Sequence, residues 1–223
     1  MSSVPAARLG RLTAAARRYA VAWTYLALFA AVQAGYALLR PAAQASFTAW
    51  ASTSVANLEH DPVGSLVVSA FVTGGTGWGA AAWLPLIAIA MFGANGAVGN
   101  WRTVLVCAAG HVVGTLVSEG IVAWRVASGA LPPAYRHLTD VGPSYVVVSA
   151  LVVALLCAGW AWRCLAALDL LVLVFIARIF GGLASLDVSA VGHLTAIVTA
   201  AAVTPLLCPL RRPYRRRQGR SGT

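Results

Sequence analysis

The stretch Val188–Leu207, VSAVGHLTAIVTAAAVTPLL, points most directly to the fold class of this chain. It contains 20 residues and no Asp, Glu, Lys or Arg. A helix needs about 20 mostly apolar residues to cross the roughly 30 Å hydrocarbon core of a bilayer. The stretch therefore predicts a transmembrane helix that carries one histidine, His193.

The composition of the whole chain supports a membrane protein. Of its 223 residues, 60% are hydrophobic and 10% are charged, whereas a soluble domain carries about 25% charged residues. The net charge of +10 comes from 16 arginines and 6 acidic residues, with no lysine. A nucleic-acid-binding domain, a disordered tail and a lone amphipathic anchor are therefore excluded as descriptions of the whole chain.

Five further apolar runs have the length of membrane helices. They cover residues 20–39, 77–92, 103–124, 144–162 and 164–180, and a shorter apolar piece at 62–73 precedes the second. Turn residues separate several of them, at 93–96, 131–133, 142–143 and 181–182. We predict an all-α, polytopic membrane protein with six transmembrane helices in one domain, residues 20–207.

Arginines predict the orientation of this domain. They are concentrated in an N-terminal segment, residues 1–19, and in a tail, residues 208–223. Six crossings with both termini inside place twelve arginines in the cytoplasm and four at the outer face, as the positive-inside rule requires. The first run is longer than a signal-peptide core of roughly 7–15 residues, so we interpret it as a membrane helix.

The four cysteines lie in or beside apolar runs at no metal-binding spacing. They predict neither a disulfide nor a structural metal. We expect no metal, no organic cofactor and no nucleic-acid partner.

Ser144 and His193 are the polar residues with the clearest chemical potential. The fourth and sixth helices both begin at the outer side, so the two residues lie in the same outer third of the membrane. A Ser–His pair there allows the imidazole to take the hydroxyl proton, and the unpaired amides at the start of the fourth helix supply part of an oxyanion hole. The alternatives are that Ser144 is only a helix cap and that His193 only bonds a neighbouring helix.

Another polar stripe lies on one face of the third helix. His111, Thr115, Ser118 and Glu119 have spacings of three and four residues and must face the bundle interior. The stripe is either a proton or ion path, as in a small transporter or channel, or a buried hydrogen-bonded seam. In the fifth helix, Asp169 and Arg178 lie too far apart to pair, and interface anchoring is the expected role of Arg178.

The order of these features resembles the rhomboid intramembrane serine proteases and the divergent rhomboid-like proteins of bacteria. Gly142–Pro143–Ser144–Tyr145 resembles their Gly-x-Ser-Gly nucleophile motif, and Gly192–His193 with small residues following resembles their Ala-His-x-x-Gly motif. Residues 94–102 are similar to the turn before their third helix. The resemblance implies a multi-pass protein of the bacterial plasma membrane, with Ser144 as nucleophile and His193 as base.

Departures from this pattern surround the oxyanion site. An ungapped match puts Trp78 and Ala82 where the family has a His and an Asn, Tyr145 where it has a Gly, and Val148 where an aromatic residue stacks on the base. Trp78 can donate one N–H and Ala82 none. Amides near Gly142, together with Tyr145, Trp78 or His111, are the remaining candidates for holding or supporting the oxyanion.

The resemblance implies cleavage of transmembrane segments of other proteins near the outer face. The departures from the family pattern favour a second hypothesis, a pseudoprotease that binds membrane helices without cutting them. Proton or ion transport along the His111/Glu119 stripe is a third hypothesis.

Overall fold

The computed structural model describes residue 14 and residues 16–208. Most of the two arginine-rich segments predicted at 1–19 and 208–223 therefore lies outside the described residues. Within them every regular element is helical and no strand occurs. The α-helices are α1 (Ala20–Ala37), α2 (Pro41–Ala51), α3 (Val55–His60), α4 (Pro62–Ser69), α5 (Trp78–Ala81), α6 (Trp83–Val98), α7 (Asn100–Ala127), α8 (Ser144–Cys157), α9 (Trp160–Leu171) and α10 (Val188–Leu207).

Four segments are long and apolar enough to cross a membrane. They are α1, the nearly continuous Trp78–Val98, α7 and α10. Helices α8 and α9, with 14 and 12 residues, are shorter than these four segments. A π-helical turn at Val172–Ile176 extends α9. The all-α prediction is thus confirmed with four candidate membrane-spanning segments, whereas six crossings remain a prediction. The run predicted at 144–162 is interrupted at residues 158–159, and the run at 164–180 is no longer helical after Ile176.

Helix α8 is the centre of the bundle. It packs against α6, α7, α9 and α10, and every residue from Tyr145 to Ala154 is buried. Its Val, Ala and Leu side chains are apolar on all faces, which is the pattern of a helix surrounded by other helices. Ser144, at its first turn, therefore begins a helix that is held on all sides.

The turn predicted at 93–96 is wrong, because α6 continues through it to Val98. Gly93 faces Ala154 and Trp162 so closely that a Cβ would lie 3.0 Å from the Ala154 methyl carbon. Asn95 is buried and its side-chain oxygen accepts a hydrogen bond from the amide of Ala22. These residues serve contacts between helices, and the chain turns instead at Gly99, whose φ is 85°.

The expectation of no disulfide is also wrong. Cys157 at the end of α8 is bonded to Cys208 just after α10. Their Cα atoms are 6.3 Å apart, within the range that a disulfide spans. Their separation of 51 residues matches no local motif, so the pairing follows only from the packing of the two helix ends.

Candidate functional site

A cavity of about 300 Å³ opens at the end of the bundle where the α7–α8 and α9–α10 connections lie. It brings together Ser144 and His193, the two residues that the sequence singled out. The remaining wall residues come from the same two connections, from α6 and α10, and from the segment before α5; they are Thr73, Trp83, Val141, Gly142, Pro143, Ala177, Arg178, Ile179, Gly181, Asp187 and Ser189.

Ser144 is positioned by the tight entry into α8. Gly142 has φ 150°, a backbone region that favours glycine, and its amide donates to the Ser69 carbonyl at 3.0 Å. The first intrahelical bond runs from the Val147 amide to the Pro143 carbonyl. The amides of Ser144 and Tyr145 consequently have no acceptor within the helix, and N–H groups of this kind can stabilise an oxyanion.

His193 lies in the second turn of α10 and is buried. Its Nδ1 is 3.4 Å from the Ser189 hydroxyl, and its Nε2 has no hydrogen-bond partner among the described residues. If Nδ1 carries the proton and donates to Ser189, Nε2 is a free acceptor. No hydrogen bond joins Ser144 to His193 within the part of the chain that the structure describes, so a dyad requires the two side chains to move closer together.

Tyr145, the residue that follows the candidate nucleophile Ser144, packs against His193. The two rings meet edge to face, with centroids 4.9 Å apart and an interplanar angle of 84°. Gly192 makes room for the phenol, since a Cβ there would overlap Tyr145. An aromatic residue does contact the histidine, but it comes from position 145 and not from position 148.

Asp140 is a site residue that sequence reasoning missed. It lies in the α7–α8 connection, and its carboxylate accepts a hydrogen bond from the Tyr145 hydroxyl at 3.0 Å. Its amide donates to the Ser52 hydroxyl at 2.9 Å. Burial raises the pKa of Asp140 to about 6, and hydrogen bonds from Tyr145 and Thr53 offset only part of that effect. Asp140 thus fixes Tyr145, which in turn contacts His193.

The other candidates for the oxyanion site are dispersed. Trp78 is 92% exposed and is absent from the cavity wall. His111 is buried, and its Nε2 lies 2.9 Å from the Leu66 carbonyl oxygen. It shares a void of about 10 Å³ with Gly142, Ser144 and Tyr145, room for about one water molecule.

The polar stripe of α7 is buried, as its helical spacing predicted. His111, Thr115, Ser118 and Glu119 are all among the buried residues of this helix. Both Glu119 carboxyl oxygens lack a partner among the described residues. Across the described part of the chain, no group of three or more His, Cys, Asp or Glu side chains is arranged to hold a metal ion.

Comparison with known proteins places the chain in a family. The family described as rhomboid-like protein matches residues 15–212. No curated protein and no solved structure gives a match. The family match covers all the helices and both Ser144 and His193. The chain therefore belongs to the rhomboid-like protein family.

Proposed function

We propose that this protein is an intramembrane serine protease in which Ser144 is the nucleophile and His193 the general base. The observation that carries the proposal is the presence of both side chains in one open cavity. A buried imidazole with a free Nε2 and a serine at the head of a fixed helix are the two components that acyl transfer requires.

Once Ser144 and His193 approach each other, the pair carries each proton transfer that peptide cleavage needs. His193 takes the proton from the Ser144 hydroxyl as its oxygen attacks the scissile carbonyl carbon, and then gives that proton to the leaving amine as the C–N bond breaks. Water next attacks the acyl-enzyme, with His193 again as base, and the acid product leaves. The amides of Ser144 and Tyr145 are the proposed oxyanion donors, and Trp83 in the wall has a further N–H group.

The substrate class follows from the location of this cavity in a membrane bundle. We propose six crossings with both termini in the cytoplasm, which puts the cavity at the outer face of the bacterial plasma membrane. A transmembrane segment of another protein then reaches Ser144 from the lipid, near the outer end of that segment. Water enters from the connection side of the bundle.

A helix-binding pseudoprotease is the second candidate function. Two observations favour it: Ser144 and His193 are not hydrogen-bonded, and Trp78 is exposed and does not line the cavity. Loss of one oxyanion donor typically lowers the rate about 100- to 1000-fold. A cavity that binds a helix without cleaving it would retain the same walls.

Fluorophosphonate labelling of the purified, full-length protein separates the two functions. We expect the wild type to be labelled at Ser144 and labelling to be lost in Ser144→Ala and His193→Ala. Ser185→Ala, an exposed serine of the α9–α10 connection, is the matched control and should label like the wild type. A wild type that stays unlabelled while its thermal unfolding is cooperative would favour the pseudoprotease.

A further inference from the structure

Arg178 is a cavity residue held in an unusual conformation. It follows the π-helical turn that ends α9, and its φ of 56° is in the left-handed region, which few non-glycine residues adopt. The turn is fixed by the Gly181 amide, which donates to the Arg178 carbonyl at 2.7 Å. Helices that end this way usually have glycine at the left-handed position. The turn does not need an arginine, yet Arg178 is one of the residues that line the cavity with Ser144 and His193, and it is exposed to a ligand that enters there.

No carboxylate of the described chain neutralises this cation. All 6 acidic residues of the protein lie within the described residues, and the ion pair found there joins Arg136 to Glu59. The other charged residue of the cavity wall, Asp187, caps α10 through Oδ1, which accepts from the Ser189 and Ala190 amides, and among the described residues it forms no ion pair with Arg178. The guanidinium of Arg178 is therefore available to a ligand.

We infer that the cavity selects a membrane-helix segment carrying an Asp or Glu side chain close to the residue presented to Ser144, and that Arg178 pairs with that carboxylate. A guanidinium and a carboxylate match in two parallel N–H···O bonds. Such a pair is stronger once a bound helix covers Arg178 and excludes water than on an open surface. The inference rests on the proposed function only in taking a membrane helix as the occupant, and it does not require cleavage.

Binding of two matched peptides tests this selection. Both are synthetic Leu/Ala transmembrane peptides of roughly 20 residues, identical except for one Asp or Asn near one end. Binding to full-length Ser144→Ala protein is measured by energy transfer in phosphatidylcholine nanodiscs, so no cleavage interferes. We expect the Asp peptide to bind at least about tenfold more tightly, the size expected for a charge-assisted hydrogen bond.

Variants assign the preference to the cavity arginine. Arg178→Gln should reduce it below about twofold, and Arg178→Lys should keep part of it because the charge remains without the planar fork. Arg125→Gln is the matched control: Arg125 donates to the Ser185 carbonyl and is absent from the cavity wall. That variant should keep the full preference.

The outcomes that contradict the inference can be distinguished from those that contradict the proposed function. Equal binding of the two peptides, or an undiminished preference in Arg178→Gln, overturns the inference alone. Loss of the preference when phosphatidylglycerol is added would assign Arg178 to lipid headgroups and also overturn it. If neither peptide binds, the inference and the helix-binding cavity both fail, while fluorophosphonate labelling still reports separately on Ser144.

Discussion

Tyr145 and Gly192 form a matched pair across the α8–α10 interface. The family pattern has a small residue after the nucleophile, and here a phenol takes that place while Gly192 provides the space. The phenol contacts His193 and is anchored by Asp140. One large side chain thus links the histidine to the α7–α8 connection, and its fit depends on the absence of a single Cβ.

The first prediction concerns this pair. Gly192→Ala should destabilise the protein by about 1–3 kcal/mol, because the new methyl overlaps a buried ring. In a Tyr145→Ala background the same substitution should cost little, since the ring is gone. Thermal unfolding of the four proteins of this double-mutant cycle gives the coupling. Additive effects would show that the two residues do not share this space.

At the scale of elements, the site depends on the close approach of α7 and α10. Gly114 on α7 faces the backbone of α10, and a Cβ there would lie 2.9 Å from the Gly192 carbonyl oxygen. Small residues at such contacts allow helices in membranes to pack closely. The spacing of α7 and α10 in turn sets the position of His193.

Two glycines of the same helix provide a sharp test of this contact. Gly114→Ala should lower stability by about 1–3 kcal/mol, because backbone atoms must move apart. Gly120, also on α7, has nothing within 4 Å of an added Cβ, so Gly120→Ala should raise stability by about 0.5–1 kcal/mol through helix propensity. Unfolding curves in denaturing detergent measure the stability change in both variants. A similar response of the two variants would contradict the packing described.

For the whole molecule, the lengths of the apolar runs and the turn residues between them predict most of the helices. Residues 188–207 were predicted and observed as one helix with the same bounds. The errors fall where a residue acts through distant partners: Gly93 and Asn95 signal a turn locally but pack between helices, and Cys157 meets Cys208 only after folding. Likewise the roles of Asp140 and Arg178 depend on which connections meet around Ser144. No local pattern contains that information.

The number of membrane crossings can be decided at one position, the turn between α8 and α9. Six crossings put Gly159 on the side opposite the α7–α8 connection, whereas crossing by the four long segments alone leaves both on one side. Gly159 is exposed and has nothing within 4 Å of an added Cβ, so Gly159→Cys itself should be tolerated. The background without native cysteines also lacks the Cys157–Cys208 bond, so its cooperative thermal unfolding is checked first. With Ser128→Cys as the matched control, we expect an impermeant maleimide to label position 128 in intact cells and position 159 only after permeabilisation. Labelling of both positions in intact cells would reduce the count to four, and α8 would then enter and leave the membrane on the same side.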